Sequence, residues 1–322
     1  MSRPRVVVTR KMPKAVEDRL RAADLDVTFN EDDTPYTRDR LIAALQDADG
    51  LLLAVSDVID GPLLDAGGKR RAQIVANFGV GVNHIDLDAA KARGVIVTNT
   101  PGVLTDATAD LALALILAAT RRMSEMEAVL RRGEWGGFSP TADLGMSLQG
   151  KTLGVIGMGR IGQATARRAV LGFGMTAIHF NRSAVGPFDF PAEARPSIED
   201  VMAEADVITL HTPGGGANSG LVSAARIALM KPTAYLVNTA RGDVIDEPAL
   251  IAALKSGRIA GAGLDVFAKE PHVPAEFLTI PSVTLLPHIG SATLETRTAM
   301  GMLAAENLIA HFSGQPLPSQ VV

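Results

Sequence analysis

The sequence predicts an α/β protein made of two doubly wound, parallel-sheet units. Three observations carry this. Short β-branched runs alternate with helix-patterned stretches along nearly the whole chain, the mark of β-α-β units rather than of hairpins. The alternation restarts after a breaker, Thr100-Pro101-Gly102. The second series opens on a glycine-rich turn between a strand and a helix, whereas the first series has no such turn.

The first series begins with a β-branched run at 5–9, a helical pattern over 14–23 and a strand at 25–29. A helix near 38–46, a buried strand at 50–55 and strands at 74–76 and 95–98 follow. Beyond the breaker one long helix is expected over 105–132, apolar on nearly all sides through Ala119, so it must be buried against a large surface. The second series comprises strands at 153–156, 176–180, 206–211, 234–238, 259–264 and 283–285. Helices at 163–169, 198–203, 224–230 and 247–256 lie between them. A last helix over 294–313 is expected to return to the first unit. The expected domains are a discontinuous one, 1–100 plus 290–322, and a continuous one, 101–289, with the site in the cleft between them.

Composition narrows the chemistry. With 322 residues, 47% hydrophobic and 20% charged, the chain can build two cores. Its formal net charge of -4 gives no basic field for nucleic acid or an anionic membrane. The pairs Arg121-Arg122 and Arg131-Arg132 read as helix-end charges. The absence of cysteine excludes disulfides and thiolate catalysis, and no set of His, Asp and Glu has metal-site spacing. Catalysis must then come from a cofactor together with His, acid and Arg groups. The valine run near the N-terminus is too short for a signal-peptide core. The longest apolar stretch, 111–119, is about half of a membrane crossing. The expectation is a soluble, cytoplasmic protein with neither nucleic-acid nor membrane partners.

The glycine turn reads Gly157-Met158-Gly159-Arg160-Ile161-Gly162. Such a turn brings backbone close to a pyrophosphate and aims the N–H groups of the next helix at it. Roughly 20 residues further on, where an acidic residue would bind both ribose hydroxyls of NAD, the chain instead reads Asn181-Arg182-Ser183. An uncharged Asn beside Arg and Ser suits a 2′-phosphate, so NADP(H) is the expected cofactor, with NAD(H) possible.

Three later segments supply what hydride transfer to a 2-oxo acid requires. Arg241 follows the strand ending at Asn238 and can fork both oxygens of a carboxylate. Asp265 and Glu270 follow the next strand, and His288 follows the last. Of the six histidines, only His211 and His288 stand directly at apolar strand ends in loops of the second unit. Imidazole is the natural acid/base partner for a hydroxyl that becomes a carbonyl. Glu270 would hold one ring nitrogen and leave the other facing substrate.

Arg241, Glu270 and His288, taken with the Gly157 turn and Val103-Leu104-Thr105-Asp106-Ala107-Thr108-Ala109-Asp110, resemble the D-isomer-specific 2-hydroxyacid dehydrogenases. The resemblance runs from about Gly50 onward. Within that family the chain is most similar to the glyoxylate/hydroxypyruvate reductases, on Val103 to Asp110, Arg132 to Trp135, Arg241 to Val244 and Leu286 to Thr293. It implies two Rossmann-like domains, the nucleotide-binding one doubly wound and the smaller, discontinuous substrate domain flavodoxin-like.

The resemblance also implies roles. Arg241 and His288 bind substrate and move the proton, Glu270 partners His288, and Asp265 lies near the nicotinamide carboxamide. The backbone of Val80 and Gly81 takes the substrate carboxylate, and Ser291 touches substrate. Thr108, Arg160, Ile161, His211, Pro213, Ala240 and Gly290 join the glycines and Asn181-Arg182-Ser183 around the cofactor. A homodimer through the nucleotide-binding domains is implied. From its own context, a loop after the long helix, Trp135 reads as a hydrophobic lock on a partner subunit rather than as a local loop anchor, and Met123 and Met126 read as packing residues. Two departures stand out. Asn83 replaces the family's usual Asp, and Gly214-Gly215-Gly216 gives the loop after His211 extra conformational freedom.

The reading is an NADPH-dependent reductase of small 2-oxo acids. An NAD-dependent 3-phosphoglycerate dehydrogenase also resembles the chain, but the nucleotide site lacks the acid and no regulatory domain follows. A formate dehydrogenase is disfavoured by Glu270, since those relatives lack a carboxylate beside the histidine. A nucleotide-sensing corepressor on the same fold is compatible with an intact Arg, Glu and His set.

Overall fold

Residues 3–66 and 70–322 are described by the computed structural model of the chain, and they divide into two units. One runs through Leu104 and takes in Ser291–Val322; the other is Thr105–Gly290.

The first unit contains β1 (Arg5–Val8), α1 (Lys14–Arg21), β2 (Asp26–Thr28), α2 (Arg38–Asp47), β3 (Gly50–Ala54), α3 (Gly61–Asp65), β4 (Ile74–Phe78), α4 (Leu87–Ala92) and β5 (Ile96–Thr98). All its strands pair in parallel, in the order β2-β1-β3-β4-β5, the order of flavodoxin-like sheets. Leu51, Leu52 and Leu53 of β3 are all fully buried, because helices cover both faces of a parallel sheet. The short helices α3 and α4 start at aspartates, Asp60 and Asp86, whose carboxylates accept the Leu63 and Ala89 amides. The pattern reading did not anticipate either helix.

The second unit contains α5 (Thr105–Thr120), α6 (Met123–Arg131), β6 (Thr152–Ile156), α7 (Arg160–Phe173), β7 (Thr176–Phe180), β8 (Glu193–Ala194), α8 (Ile198–Glu204), β9 (Val207–Leu210), α9 (Ala224–Ile227), β10 (Tyr235–Asn238), α10 (Glu247–Lys255), β11 (Gly261–Leu264) and β12 (Val283–Leu285). Its seven strands, again all parallel, run β12-β11-β10-β9-β6-β7-β8. This is the dinucleotide-binding order with one strand added, and the order in which the chain adds strands reverses between β6 and β9.

The continuous helix expected over 105–132 is instead two. Arg122 adopts a left-handed backbone, φ 53°, and its guanidinium forks Glu125 at 2.8 and 2.6 Å. The Thr120 carbonyl accepts the Met146 amide at 2.8 Å, so a distant segment satisfies the helix end. Helix α5 is buried as expected, against α7, β10 and β11. Helix α6 fully buries none of its residues; Met123 is exposed, which corrects the packing role expected for it, while Met126 is half-buried.

The last helix, α11 (Leu294–Phe312), packs on β3 and β4 and against α1. Beyond it, Val321 donates to the Val97 carbonyl at 2.7 Å, and Gln320 bridges Thr98 antiparallel. Among the described residues no helix is long and apolar enough to cross a membrane, and no His, Asp and Glu group could hold a metal ion.

The α1–α11 crossing depends on Gly301, where an added Cβ would lie 2.6 Å from the Cγ2 of Val16, itself fully buried. Gly301→Leu is expected to destabilise the protein by about 2 kcal/mol or more through overpacking, which the gain in helix propensity, about 1 kcal/mol, does not offset. A urea midpoint equal to that of wild type would refute so tight a crossing.

Candidate active site

In the second unit every loop that carries a candidate residue leaves the carboxyl edge of the sheet. The glycine turn follows β6 directly. Gly157 adopts φ 95°, and a Cβ there would lie 2.7 Å from the backbone of His211. A Cβ on Gly162 would lie 2.2 Å from the Gly157 carbonyl, so α7 can start this close to β6 only with glycine at both positions. Helix α7 begins at Arg160, earlier than the pattern indicates, which leaves Arg160 exposed on its first turn.

Asn181, just past β7, is spent inside the protein. Its Oδ1 accepts the Met158 amide of the glycine turn at 3.0 Å, and its Nδ2 donates to the Ser183 carbonyl at 2.9 Å and to Ser183 Oγ at 3.3 Å. The residue ties the two loops together rather than presenting its amide to a ligand. Arg182 and Ser183 are exposed.

His211 extends β9. Its Nε2 lies 3.0 Å from Thr209 Oγ1. Although part of the residue meets solvent, desolvation of the ring drives its pKa down to about 3, so it is a neutral, structural imidazole. The glycine loop that follows is held in place: Gly215 donates to Asp243 at 2.6 Å, and Asn218 Nδ2 donates to the Pro213 carbonyl at 3.0 Å. A Cβ on Gly214 would meet Asp243 and Arg241, so glycine is needed there for close approach as well as for freedom.

Arg241 follows β10, on a turn fixed by Asn238, whose side chain bonds the Arg241 carbonyl and the Ala240 amide. Gly242 presses directly on the Phe267–Ala268 backbone, so the Arg241 turn and the Glu270 loop are in contact. Burial lowers the guanidinium pKa, while Glu270 and Asp243 pull the other way. Its Nη1 donates to the Ala240 carbonyl at 2.6 Å.

Asp265 directly follows β11 and is fully buried. Burial raises its pKa, opposed by the amides of Ile289 and Gly290 and by His288. Those amides donate to Oδ1 and Oδ2 at 2.7 and 2.8 Å, and the His288 amide donates to the Asp265 carbonyl at 2.8 Å. Asp265 therefore clamps the turn that carries His288, a role the sequence spacing did not reveal. Thr108 of α5 approaches the same turn at Gly290.

His288 Nδ1 lies 2.7 Å from Glu270 Oε2. Burial opposes the Glu270 charge, but the hydrogen bond and charge of His288, then the Phe267 amide and Arg241, outweigh it and hold the carboxyl below its ordinary range. The Phe267 amide occupies the other oxygen at 3.0 Å. With Nδ1 committed to a carboxylate, Nε2 is the nitrogen left to exchange a proton.

In the first unit, Val80 and Gly81 sit in the loop after β4. Buried Asn77 holds that loop: its Nδ2 donates to the carbonyls of Gly79 and Gly81, both at 3.0 Å, and its Oδ1 lies 3.0 Å from His84 Nε2. Sequence reading did not single out Asn77, which sits inside a β-branched run with no local signal. Ser291 begins the return segment and accepts the Thr293 amide.

The low pKa of His211 can be checked directly. Its ring resonances should stay fixed between about pH 5 and pH 9, whereas an unperturbed histidine titrates near 6.5; movement with a midpoint near that value would contradict the burial described.

Comparison with known proteins agrees with this arrangement. Residues 113–290 match the model of the D-isomer specific 2-hydroxyacid dehydrogenase NAD binding domain. A glyoxylate reductase of Thermococcus litoralis is 43% identical over 99% of this chain and 97% of its own length. One from Aeropyrum pernix is 44% identical over 100% and 96%. Among solved structures, an NADPH-dependent glyoxylate/hydroxypyruvate reductase of Sinorhizobium meliloti, in complex with NADP and malonate, is 37% identical with a TM-score of 0.88, covering 100% of this chain and 97% of that one. With a family model over more than half of its length and relatives this similar along the whole of it, the chain belongs to the D-isomer specific 2-hydroxyacid dehydrogenases.

Proposed function

We propose that the protein reduces glyoxylate, hydroxypyruvate and similar small 2-oxo acids to D-2-hydroxy acids, with NADPH preferred over NADH. The observation that carries the chemistry is the 2.7 Å contact of His288 with Glu270, with Arg241 on the adjoining turn. The substrate is supported by the relatives that match this chain over 97% and 96% of their own length, which are glyoxylate reductases. The coenzyme is supported by the absence of an acid at Asn181 and by the exposed Arg182 and Ser183.

Bound nicotinamide supplies the hydride. Arg241 forks the substrate carboxylate together with the amides of Val80 and Gly81 and polarises the neighbouring carbonyl. His288 Nε2 gives its proton to the oxygen that becomes the hydroxyl, and Glu270 stabilises the imidazolium before transfer. Gly157, Gly159, Arg160, Ile161 and Gly162 hold the pyrophosphate, Arg182 and Ser183 the 2′-phosphate. Thr108, Pro213, Ala240 and Gly290 line the coenzyme; His211, being neutral, lines it without competing for the proton. Asp265 places His288 by clamping its turn. The first unit is the substrate domain in this reading.

We also infer a cytoplasmic homodimer through the second unit. Residues 131–145 are exposed throughout, and they include Trp135 at 62% and Phe138 at 89% exposure. Large apolar side chains gathered on one exposed segment suit a subunit interface.

Two measurements test the assignment. Wild type should favour NADPH by about tenfold or more in kcat/KM, the worth of charged hydrogen bonds of roughly 1.5 to 3 kcal/mol, and Arg182→Ala should lose most of that preference by raising KM for NADPH; equal use of NADH by wild type would sink it. Glu270→Gln keeps the shape of the side chain and removes the charge beside the imidazole that gives up its proton, so kcat for glyoxylate reduction should fall about tenfold or more while the Kd of NADPH stays within about twofold. Turnover equal to that of wild type under rate-limiting chemistry would remove Glu270 from the acid/base unit.

A further inference from the structure

The loop that follows β4 shows more order than a glycine-rich connection requires. Three successive carbonyls, those of Gly79, Val80 and Gly81, all have donors within the first unit. Asn77 Nδ2 serves Gly79 and Gly81 at 3.0 Å each, the Thr100 amide serves Gly79 again at 3.0 Å, and Asn99 Nδ2 serves Val80 at 2.9 Å. The amides of Val80 and Gly81 find no acceptor among the described residues.

Peptide planarity turns this into a directional statement. In a trans peptide the carbonyl of one residue and the N–H of the next point opposite ways across one rigid plane. Binding the Gly79 and Val80 carbonyls therefore fixes the directions of the Val80 and Gly81 N–H groups, each opposite its bonded carbonyl, as donors set in advance. Val80 itself is exposed. Two adjacent amides held in this way suit a carboxylate, which accepts at both oxygens.

We propose that Asn77 and Asn99 are positioning residues for the substrate carboxylate, fixing the peptide planes whose amides receive it. The proposal rests on the reading that Val80 and Gly81 bind that carboxylate. Asn99 is itself anchored from elsewhere in the unit: its amide donates to the Ser319 carbonyl at 3.2 Å, Ser319 Oγ donates to the Asn99 carbonyl at 2.6 Å, and Asn307 Nδ2 holds Ser319 Oγ at 2.8 Å. Helix α11 thereby reaches the substrate loop through two side chains. Asn77 is oriented by His84 at its Oδ1.

The test uses Asn99→Ala, because the Asn99 side chain makes a single bond to the loop while its backbone bonds to Ser319 survive the change. Asn77→Ala, fully buried, serves only as support. Asn99→Ala should raise KM for glyoxylate and the Kd of oxalate, a non-reacting carboxylate, by about five- to tenfold, the worth of one hydrogen bond, with the Kd of the reduced coenzyme unchanged within about twofold. Glyoxylate KM within about twofold of wild type, or coenzyme affinity falling as far as oxalate affinity, overturns the proposal. Gly81→Pro, which deletes one of the two amides, separates the levels. If it too leaves glyoxylate KM unchanged, the carboxylate reading itself fails. If it raises KM and Asn99→Ala does not, only the positioning role falls.

Discussion

Every strand in both sheets pairs in parallel, and the site depends on that constraint. Parallel neighbours cannot be joined by a tight hairpin; each needs a crossover that returns the chain to the same starting edge. All strand ends therefore emerge together. In the second unit this gathers the glycine turn, the Asn181 loop, His211, Arg241, Asp265 and His288 along one edge, although they are spread through most of that unit's sequence. No local signal has to bring them together, because the hydrogen-bond direction of the sheet does so.

Once gathered, the charges must be kept charged while partly removed from water. Burial works against Glu270, Asp265 and Arg241 alike, and each is compensated by fixed groups. Asp265 has two backbone amides, Glu270 has an amide and an imidazole, and Arg241 has the field of two carboxylates. Asp265 and Glu270 approach the His288 turn differently: one holds its backbone and the other its ring. The imidazole is thus located by two acids that do not share a job, the division expected where one residue sets geometry and another sets charge.

Much of this was legible in the sequence because it rests on backbone rules. The Gly157 turn is readable since glycine at 157 and 162 answers a steric demand that no other residue meets. The strand-end positions of Arg241, Glu270 and His288 follow from apolar runs that stop abruptly. What escaped was long-range. The stretch over 105–132 is patterned as one helix even though Arg121-Arg122 reads as helix-end charge, and the break there comes from Met146 donating to the Thr120 carbonyl and from the Glu125 fork. Helices α3 and α4 are too short to show a period. Asp265 reads as a ligand for the cofactor until its carboxylate is seen holding amides more than a strand away. Asn181, read as a neutral neighbour for a phosphate, serves as a brace between loops. Asn77 and Asn99 are polar residues at strand ends whose value lies in the carbonyls they cover.

His288 has a left-handed backbone, φ 53°, which a side chain bearing a Cβ occupies at a penalty of about 1–2 kcal/mol. Glycine would sit there without strain, held by the same Asp265 contacts, and the turn would keep its shape. The backbone therefore does not need histidine at this position, whereas Glu270 would lose the partner that offsets its burial. Scaffold and side chain pull apart at one residue: the turn alone favours glycine, the half-buried carboxylate favours an imidazole, and a strained conformation persists where the two demands meet.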